Sequence, residues 1–389
     1  MKDRKIYCFN KISPAGTGLF REGYELTEEL SEAHGILVRS ANLFEVEMPE
    51  SLRAIARAGA GVNNIPIDAC SEKGVVVFNT PGANANAVKE LVIAALLMCA
   101  RDITGGIKWV ADHSDDPDIA KTAEKAKKEF AGHEIKGRKL GVIGLGAIGV
   151  LVANVAVSLG MEVYGYDPYI SIGSAWNLKR EVHHAEKLSE LYEDCDFITV
   201  HVPSTPDTRG MINKEALGLM KDGVSVLNFA RADLVNEADM AEALSAGKIH
   251  RYITDFADPM TVGMKNAIVI PHLGASTEES EENCAVMAVK EIQDYLDNGN
   301  ITHSVNFPDL DAGVCHTESR IACLHLNIPN MLGQITTVMG EEGINIATLY
   351  NKSRDKYAYT LMDIENRITD EALLRLQQSK GMLRVRIVK

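Results

Sequence analysis

Between Lys139 and Asp167 the chain reads as an apolar run, a glycine turn, an apolar stretch of helical length, a short strand and an acid. Few folds accept that order. Leu140, Val142 and Ile143 lead in as a buried strand, and the turn is Gly144-Leu145-Gly146-Ala147-Ile148-Gly149. Gly144 permits a sharp turn, Gly146 lets backbone approach a bulky anion without a Cβ in the way, and Gly149 lets the new helix lie close on the sheet. The helix continues through Val150, Val152, Ala153, Val155 and Ala156 to Gly160, and Val163 to Tyr166 forms the next strand, closed by Asp167. Unpaired N–H groups at the helix start suit a pyrophosphate. An acid roughly 20 residues past the glycines accepts from a ribose diol and repels a 2′-phosphate. No Lys or Arg follows Asp167 until Lys179, so the pattern predicts a dinucleotide-binding domain that takes NAD.

The rest of the chain extends this rhythm. Apolar runs at Ile6 to Phe9, Ile36 to Val38, Leu52 to Ala56 and Val75 to Phe78 alternate with polar helical stretches. Asn86 to Arg101 is an almost wholly apolar helix, and Asp112 to Glu129 is a charged connection. Further strands are predicted at Phe197 to Val202, Val224 to Phe229, Ile249 to Thr254 and Ala267 to Ile270, then a long helix from Thr277 to about Asp297 with acids in its first turns. Pro308 to Thr317 reads as a linker. Beyond it the order is βαββαβ, a ferredoxin-like unit. The expected architecture is α/β: two doubly wound parallel-sheet domains plus this C-terminal piece, with boundaries at 1–95 and 285–310, 96–284 and 318–389.

Bulk properties narrow the function. The net charge of −14 has its acids spread over the chain, which speaks against nucleic acid or an anionic membrane as partner. Seven scattered cysteines form no metal-ligand spacing, so no metal is expected and the thiols read as reduced. Met1 to Lys5 carries no signal-like apolar region and the longest apolar run, Leu91 to Ala100, is too short for a bilayer, which predicts a cytoplasmic protein.

Hydride transfer between a hydroxy acid and a nicotinamide requires a cation for the substrate carboxylate, a proton carrier and a group that orients the carrier. Arg231 follows the strand ending in Asn228-Phe229-Ala230, and its planar fork suits a carboxylate. His272 follows the strand Ala267 to Ile270 and has the pKa range of an acid/base. Asp258, before Pro259, is the nearest candidate to orient the imidazole. Arg231 and His272 lie at carboxyl ends of strands, where open α/β sheets bind ligands.

The glycine turn, Asn228-Phe229-Ala230-Arg231 and Pro271-His272-Leu273-Gly274-Ala275-Ser276-Thr277 resemble, in order and spacing, the D-isomer-specific 2-hydroxyacid dehydrogenases over nearly the whole chain. The resemblance implies that Arg231 binds substrate and His272 is the acid/base. The family's third member is a glutamate before a proline; this sequence has Asp258-Pro259 in a segment about two residues shorter. Implied cofactor contacts also include Ala147, Ile148, Val202, Pro203, Thr208, Ala230, Asp255 and Gly274, with Asp255 facing the nicotinamide carboxamide. Implied substrate loops hold Arg39, Ser40, Ala60 and Gly61, with Arg57 the preferred phosphate ligand and Arg39 the second candidate. The tail resembles an ACT domain, in which positions like His325, Asn327 and Asn345 bind L-serine across a pair of such domains. Asn330 stands where glycine is usual. The short branch with one ACT domain implies NAD-dependent oxidation of 3-phospho-D-glycerate to 3-phosphooxypyruvate in serine synthesis, by a homodimer or homotetramer. The alternatives are a glyoxylate or hydroxypyruvate reductase on the same fold, and a non-catalytic NAD-sensing interaction protein.

Overall fold

The computed structural model describes residues 4–389; Met1, Lys2 and Asp3 lie outside the described residues. Two compact units emerge, one of residues up to Asn84 together with Glu278–Lys389, the other Ala85–Thr277. Division falls at helix starts. The boundaries expected at 95/96 and 284/285 would cut the continuous helices Ala85–Ala100 and Glu278–Asn298, whose i→i−4 ladders make each a single body.

The first unit opens with five short strands, β1 (Arg4–Cys8), β2 (Tyr24–Thr27), β3 (Gly35–Val38), β4 (Ala54–Arg57) and β5 (Val76–Phe78). All pair in parallel, in the order β2-β1-β3-β4-β5. Helix Glu278–Asn298 packs Ala285, Ala288, Val289, Ile292 and Tyr295 onto this sheet. In the second unit, β6 (Lys139–Ile143), β7 (Glu162–Tyr166), β8 (His183–His184), β9 (Phe197–Val200), β10 (Val224–Asn228), β11 (Ile249–Thr254) and β12 (Ala267–Val269) form a parallel sheet. Its order is β12-β11-β10-β9-β6-β7-β8, so strand order reverses beside β6, which leads into the glycine turn. The charged connection contains helix Ile119–Ala126 and follows helix Ile103–Asp112, which is capped by the Asp102 carboxylate accepting from the Gly105 N–H.

The tail has the expected βαββαβ order. Strands β13 (Ser319–Leu326), β14 (Ile346–Arg354), β15 (Tyr357–Ile364) and β16 (Met382–Ile387) form an antiparallel sheet ordered β14-β15-β13-β16. Strand alternation gives it two apolar faces. Ile321, Cys323, Met362 and Ile364 pack under helices Met331–Glu341 and Asp370–Gln378. Ala322, Leu324, Tyr359 and Leu361 instead join the core beneath the first sheet, and the Tyr359 hydroxyl donates to the Gly299 carbonyl at 2.6 Å. The segment expected to be a linker is therefore packed: Leu310 and Cys315 are buried, and the Arg320 guanidinium donates to the carbonyls of Ala312 and Gly313. Its Asp309, Asp311 and Gly313 stay exposed while the apolar residues between them turn inward. No helix of the described residues is long and apolar enough to cross a membrane.

Candidate active site

The glycine turn behaves as its spacing requires. Gly144 has φ of 93°, and a Cβ there would lie 2.7 Å from the His201 carbonyl oxygen. At Gly149 a Cβ would come within 1.9 Å of the Gly144 oxygen. Gly146 differs, because a Cβ there would meet nothing within 4 Å. It caps helix Ala147–Ser158 beside open space, a cradle suited to a pyrophosphate at a helix N-terminus. Asp167 braces this turn from the end of β7, accepting from Leu145 N–H at 2.8 Å and Tyr169 N–H at 2.9 Å. After β9 come Val202 and Pro203; the Thr208 hydroxyl donates to the Pro203 carbonyl at 2.6 Å and ties that loop back on itself.

The next strand ends carry the polar candidates. Beyond β10 the Asn228 side chain accepts from Ala230 N–H at 3.2 Å and donates to the Arg231 carbonyl at 2.8 Å, fixing the backbone that presents Arg231. Arg231 is exposed, with Nη1 on the Ala230 carbonyl. Beyond β11, Asp255 is buried, and its Oδ2 accepts from Gly274 N–H at 2.9 Å while Oδ1 has no partner among the described residues. Its carbonyl accepts from His272 N–H at 2.9 Å. One aspartate thus pins the loop after β12 and retains a buried acceptor, which fits the amide of a nicotinamide. His272 adopts φ of 41°, a left-handed conformation that projects its exposed ring away from the strand, edge-on to Phe256 at 5.3 Å.

Asp258 lies elsewhere in this network. It is the N-cap of helix Pro259–Gly263: Oδ1 accepts from the N–H groups of Met260 at 2.7 Å and Thr261 at 3.1 Å, and Oδ2 accepts from the Thr261 hydroxyl at 2.7 Å. Burial pushes the Asp258 carboxyl up, but these bonds and one with Glu237 outweigh it and hold its pKa below the usual value. Glu237 is raised in turn, by burial and by the charge of Asp258. Glu237 carries no sequence signal beyond its place at the start of helix Glu237–Ser245. Among the described residues the His272 ring makes no hydrogen bond to a carboxylate.

In the first unit, the loops after β3 and β4 are strongly self-bonded. Asn10 Oδ1 accepts from the N–H groups of Arg39, Ser40 and Ala41, each at 3.0 Å. The Arg57 guanidinium lies beneath its own loop, with Nε on the Arg39 carbonyl at 3.0 Å and Nη1 on the Gly61 carbonyl. The Ala60 carbonyl accepts from Asn79 at 2.6 Å. Arg39 pairs with Glu281 at 2.6 Å, both side chains being partly exposed. In the tail, His325 is buried between the Leu326 carbonyl and the Thr360 hydroxyl, Asn327 donates to the Asp355 carbonyl, and Asn345 donates to Glu365. Each has its own partner. Asn330 takes the left-handed φ of 67° that explains why a glycine could stand there.

Comparison with known proteins now bears on this geometry. Residues 93–274 match the D-isomer specific 2-hydroxyacid dehydrogenase, NAD binding domain. The chain is 31% identical over 385 residues to the D-3-phosphoglycerate dehydrogenase of Escherichia coli strain K12, covering 94% of this chain and 89% of that protein. It is 29% identical over 386 residues to the D-3-phosphoglycerate dehydrogenase of Haemophilus influenzae, with the same coverage. The crystal structure of NAD+-bound 3-phosphoglycerate dehydrogenase from Entamoeba histolytica superimposes with a TM-score of 0.62 at 29% identity, over 79% of this chain and all of that one. The chain belongs to the D-isomer-specific 2-hydroxyacid dehydrogenase family.

Proposed function

We propose that this protein is an NAD-dependent dehydrogenase that oxidises 3-phospho-D-glycerate to 3-phosphooxypyruvate, the first step of serine synthesis from that precursor. The observation that carries this reading is the carboxyl edge of the second sheet, where an exposed arginine, a half-satisfied buried aspartate and an exposed histidine follow β10, β11 and β12 in turn. Full-length similarity to D-3-phosphoglycerate dehydrogenases supports the choice of substrate.

Bound NAD supplies the hydride acceptor. Gly144, Gly146, Ala147, Ile148 and Gly149 would hold its pyrophosphate, Asp167 the adenosine ribose and Asp255 with Gly274 the nicotinamide end, while Val202, Pro203, Thr208 and Ala230 line the path between them. Arg231 clamps the substrate carboxylate and, in the reducing direction, polarises the 2-oxo carbonyl that accepts the hydride. His272 takes the hydroxyl proton as the hydride leaves, and returns it in the reverse direction. Ala60 and Gly61 offer backbone amides to the carboxylate, and Ser40, whose own N–H is held by Asn10, offers its hydroxyl. Because Arg57 already shapes its loop, Arg39 is the arginine better able to take the phosphate: an exposed ion pair such as that with Glu281 is worth only about 0–1 kcal/mol, so an exchange of partners is cheap. The tail is proposed to bind L-serine through His325, Asn327 and Asn345 when two such domains meet in a homodimer or homotetramer, in the cytoplasm.

The test is NADH consumption with 3-phosphooxypyruvate, glyoxylate and hydroxypyruvate in parallel, each with and without L-serine. Strong preference for the phosphorylated acid is expected, with inhibition by serine. Equal turnover of the unphosphorylated acids would move the protein to the general reductases; indifference to serine would leave the tail as an assembly module.

A further inference from the structure

The opposite end of the first sheet holds a cluster of guanidiniums, Arg53, Arg384 and Arg386, that form no salt bridge among the described residues. Parallel strands place all their amino ends at one edge, here marked by His34 before β3 and Arg53 before β4, while the candidate substrate loops follow the carboxyl ends of the same strands. The last strand of the tail, β16, adds Arg384 and Arg386, two residues apart and so on one face. Arg53 Nη1 donates to the Leu52 carbonyl at 3.2 Å, and Arg384 Nη1 donates to the same oxygen, so two guanidiniums meet at one acceptor. Arg386 lies with its guanidinium 4.3 Å above the Tyr295 ring and reaches the Leu296 carbonyl at 3.4 Å.

Charge accounting at this place does not balance. Arg386 is only 9% exposed and Tyr295 is fully buried, and among the described residues neither Arg386 Nη1 nor the Tyr295 hydroxyl has a partner. Every hydrogen bond made by the three guanidiniums among the described residues goes to a backbone carbonyl. The carboxylate whose charge reaches both Arg53 and Arg384 is that of Glu50, which forms a salt bridge with neither, and Asp297 is engaged by Arg4. Burial, followed by the charges of Arg384 and Arg386, pushes the Arg53 guanidinium down to about 10. His34 is likewise held below its usual value by burial and then by Arg53, so it adds no fixed charge at neutral pH. Arg386 is buried and Arg53 and Arg384 are half-buried, so their mutual repulsion is only partly screened, and a planar fork with free N–H groups is the natural partner of an oxyanion.

We propose that Arg53, Arg384 and Arg386, with the Tyr295 hydroxyl, form a binding site for a small phosphate-type oxyanion that bridges the first sheet and the C-terminal sheet. The site is separate from the catalytic candidates, since it lies at the amino edge of the first sheet. An oxyanion there neutralises the repulsion between β16 and the β4 end, and so fastens the tail to the core that it shares.

Thermal unfolding of the whole protein in a buffer without oxyanions, titrated with inorganic phosphate and with sulfate against sodium chloride of equal ionic strength, tests this. Expected is a saturable rise in Tm, on the order of 5 °C at about a hundred times Kd, that chloride does not reproduce. Arg386→Met and Arg53→Gln should each abolish the saturable part, and Arg386→Met should not lower Tm in the absence of anion, because it removes an unpaired buried charge. Phosphate bound among the catalytic candidates would stabilise both variants as it does the parent, and that result would overturn the assignment. So would an equal response to chloride, or a Tm that depends on protein concentration and not on phosphate, which would point to a carboxylate from a second copy.

Discussion

The two parallel sheets of this protein belong to one class but finish their carboxyl edges differently. At that edge of the second sheet, groups are presented and left incomplete: Gly146 faces open space, Asp255 keeps one buried oxygen unbonded, and Arg231 and His272 are exposed. Over the first sheet, Asn10, Arg57 and Asn79 spend their polar atoms on the neighbouring loops. Its buried atoms without a partner among the described residues are divided, Asn64 and Thr80 on the loops after β4 and β5, Glu291 on the long helix, and Arg386 with Tyr295 at the amino edge. Unsatisfied buried atoms cost stability, so each marks a place where a ligand or a further group would be a gain; what distinguishes the two edges is how much polar side chain is already spent on the loops.

Four experiments would break or sharpen this contrast. The largest effect is expected from His272→Ala, which should lower turnover by about 10²–10⁴-fold while NADH binding persists; near-normal turnover would remove His272 from the proton path. Next comes acidity. Burial holds the His201 imidazole down at about 4, with Nε2 on the Thr199 hydroxyl at 2.9 Å and Nδ1 unpartnered. Below pH 6.5 the unfolded chain takes up a proton that the native ring refuses until about 4, so this contribution is full above 6.5 and is lost as pH falls through that window, by roughly 3 kcal/mol at most. Urea unfolding at pH 7 and pH 5 should show a smaller difference in His201→Gln than in the parent.

Gly149→Ala should follow, because its new Cβ meets the Gly144 carbonyl at 1.9 Å. A loss of about 1–3 kcal/mol with weakened NADH binding is expected, whereas Gly146→Ala should keep its stability and lose cofactor affinity. Fluorescence titration with NADH beside thermal melts separates the two. The smallest effect belongs to Asp258→Ala. Removing a helix cap costs about 1 kcal/mol, and the pH profile of turnover should stay as in the parent; a shifted profile would give Asp258 back to the imidazole.

How much of this was readable in advance differs by region. The glycine turn, β6, β7 and Asp167 follow from residues within about thirty positions of one another, since a tight turn, a helix start and an acid at a strand end are short-range events. Arg231 and His272 were equally readable, because strand ends can be located from apolar runs alone. The βαββαβ order of the tail came from the same periodicity. Asp258 shows the limit: a carboxylate before a proline serves an imidazole or caps a helix, and only the positions of Thr261 and Glu237 distinguish these.

The sequence by itself therefore determined the local chemistry of the nucleotide turn and the identity of the polar groups at the strand ends, since both depend on steric and hydrogen-bonding rules acting over a few residues. Tertiary structure alone decided that the tail shares a core with the first sheet, that Arg57 lies beneath its own loop and that Arg53 meets Arg384 and Arg386. The tail and the first sheet are far apart in the chain, and Arg57 must reach from the end of one strand to the loop after its neighbour; what joins them is burial and charge summed over surfaces that come together only when the strands and sheets pack.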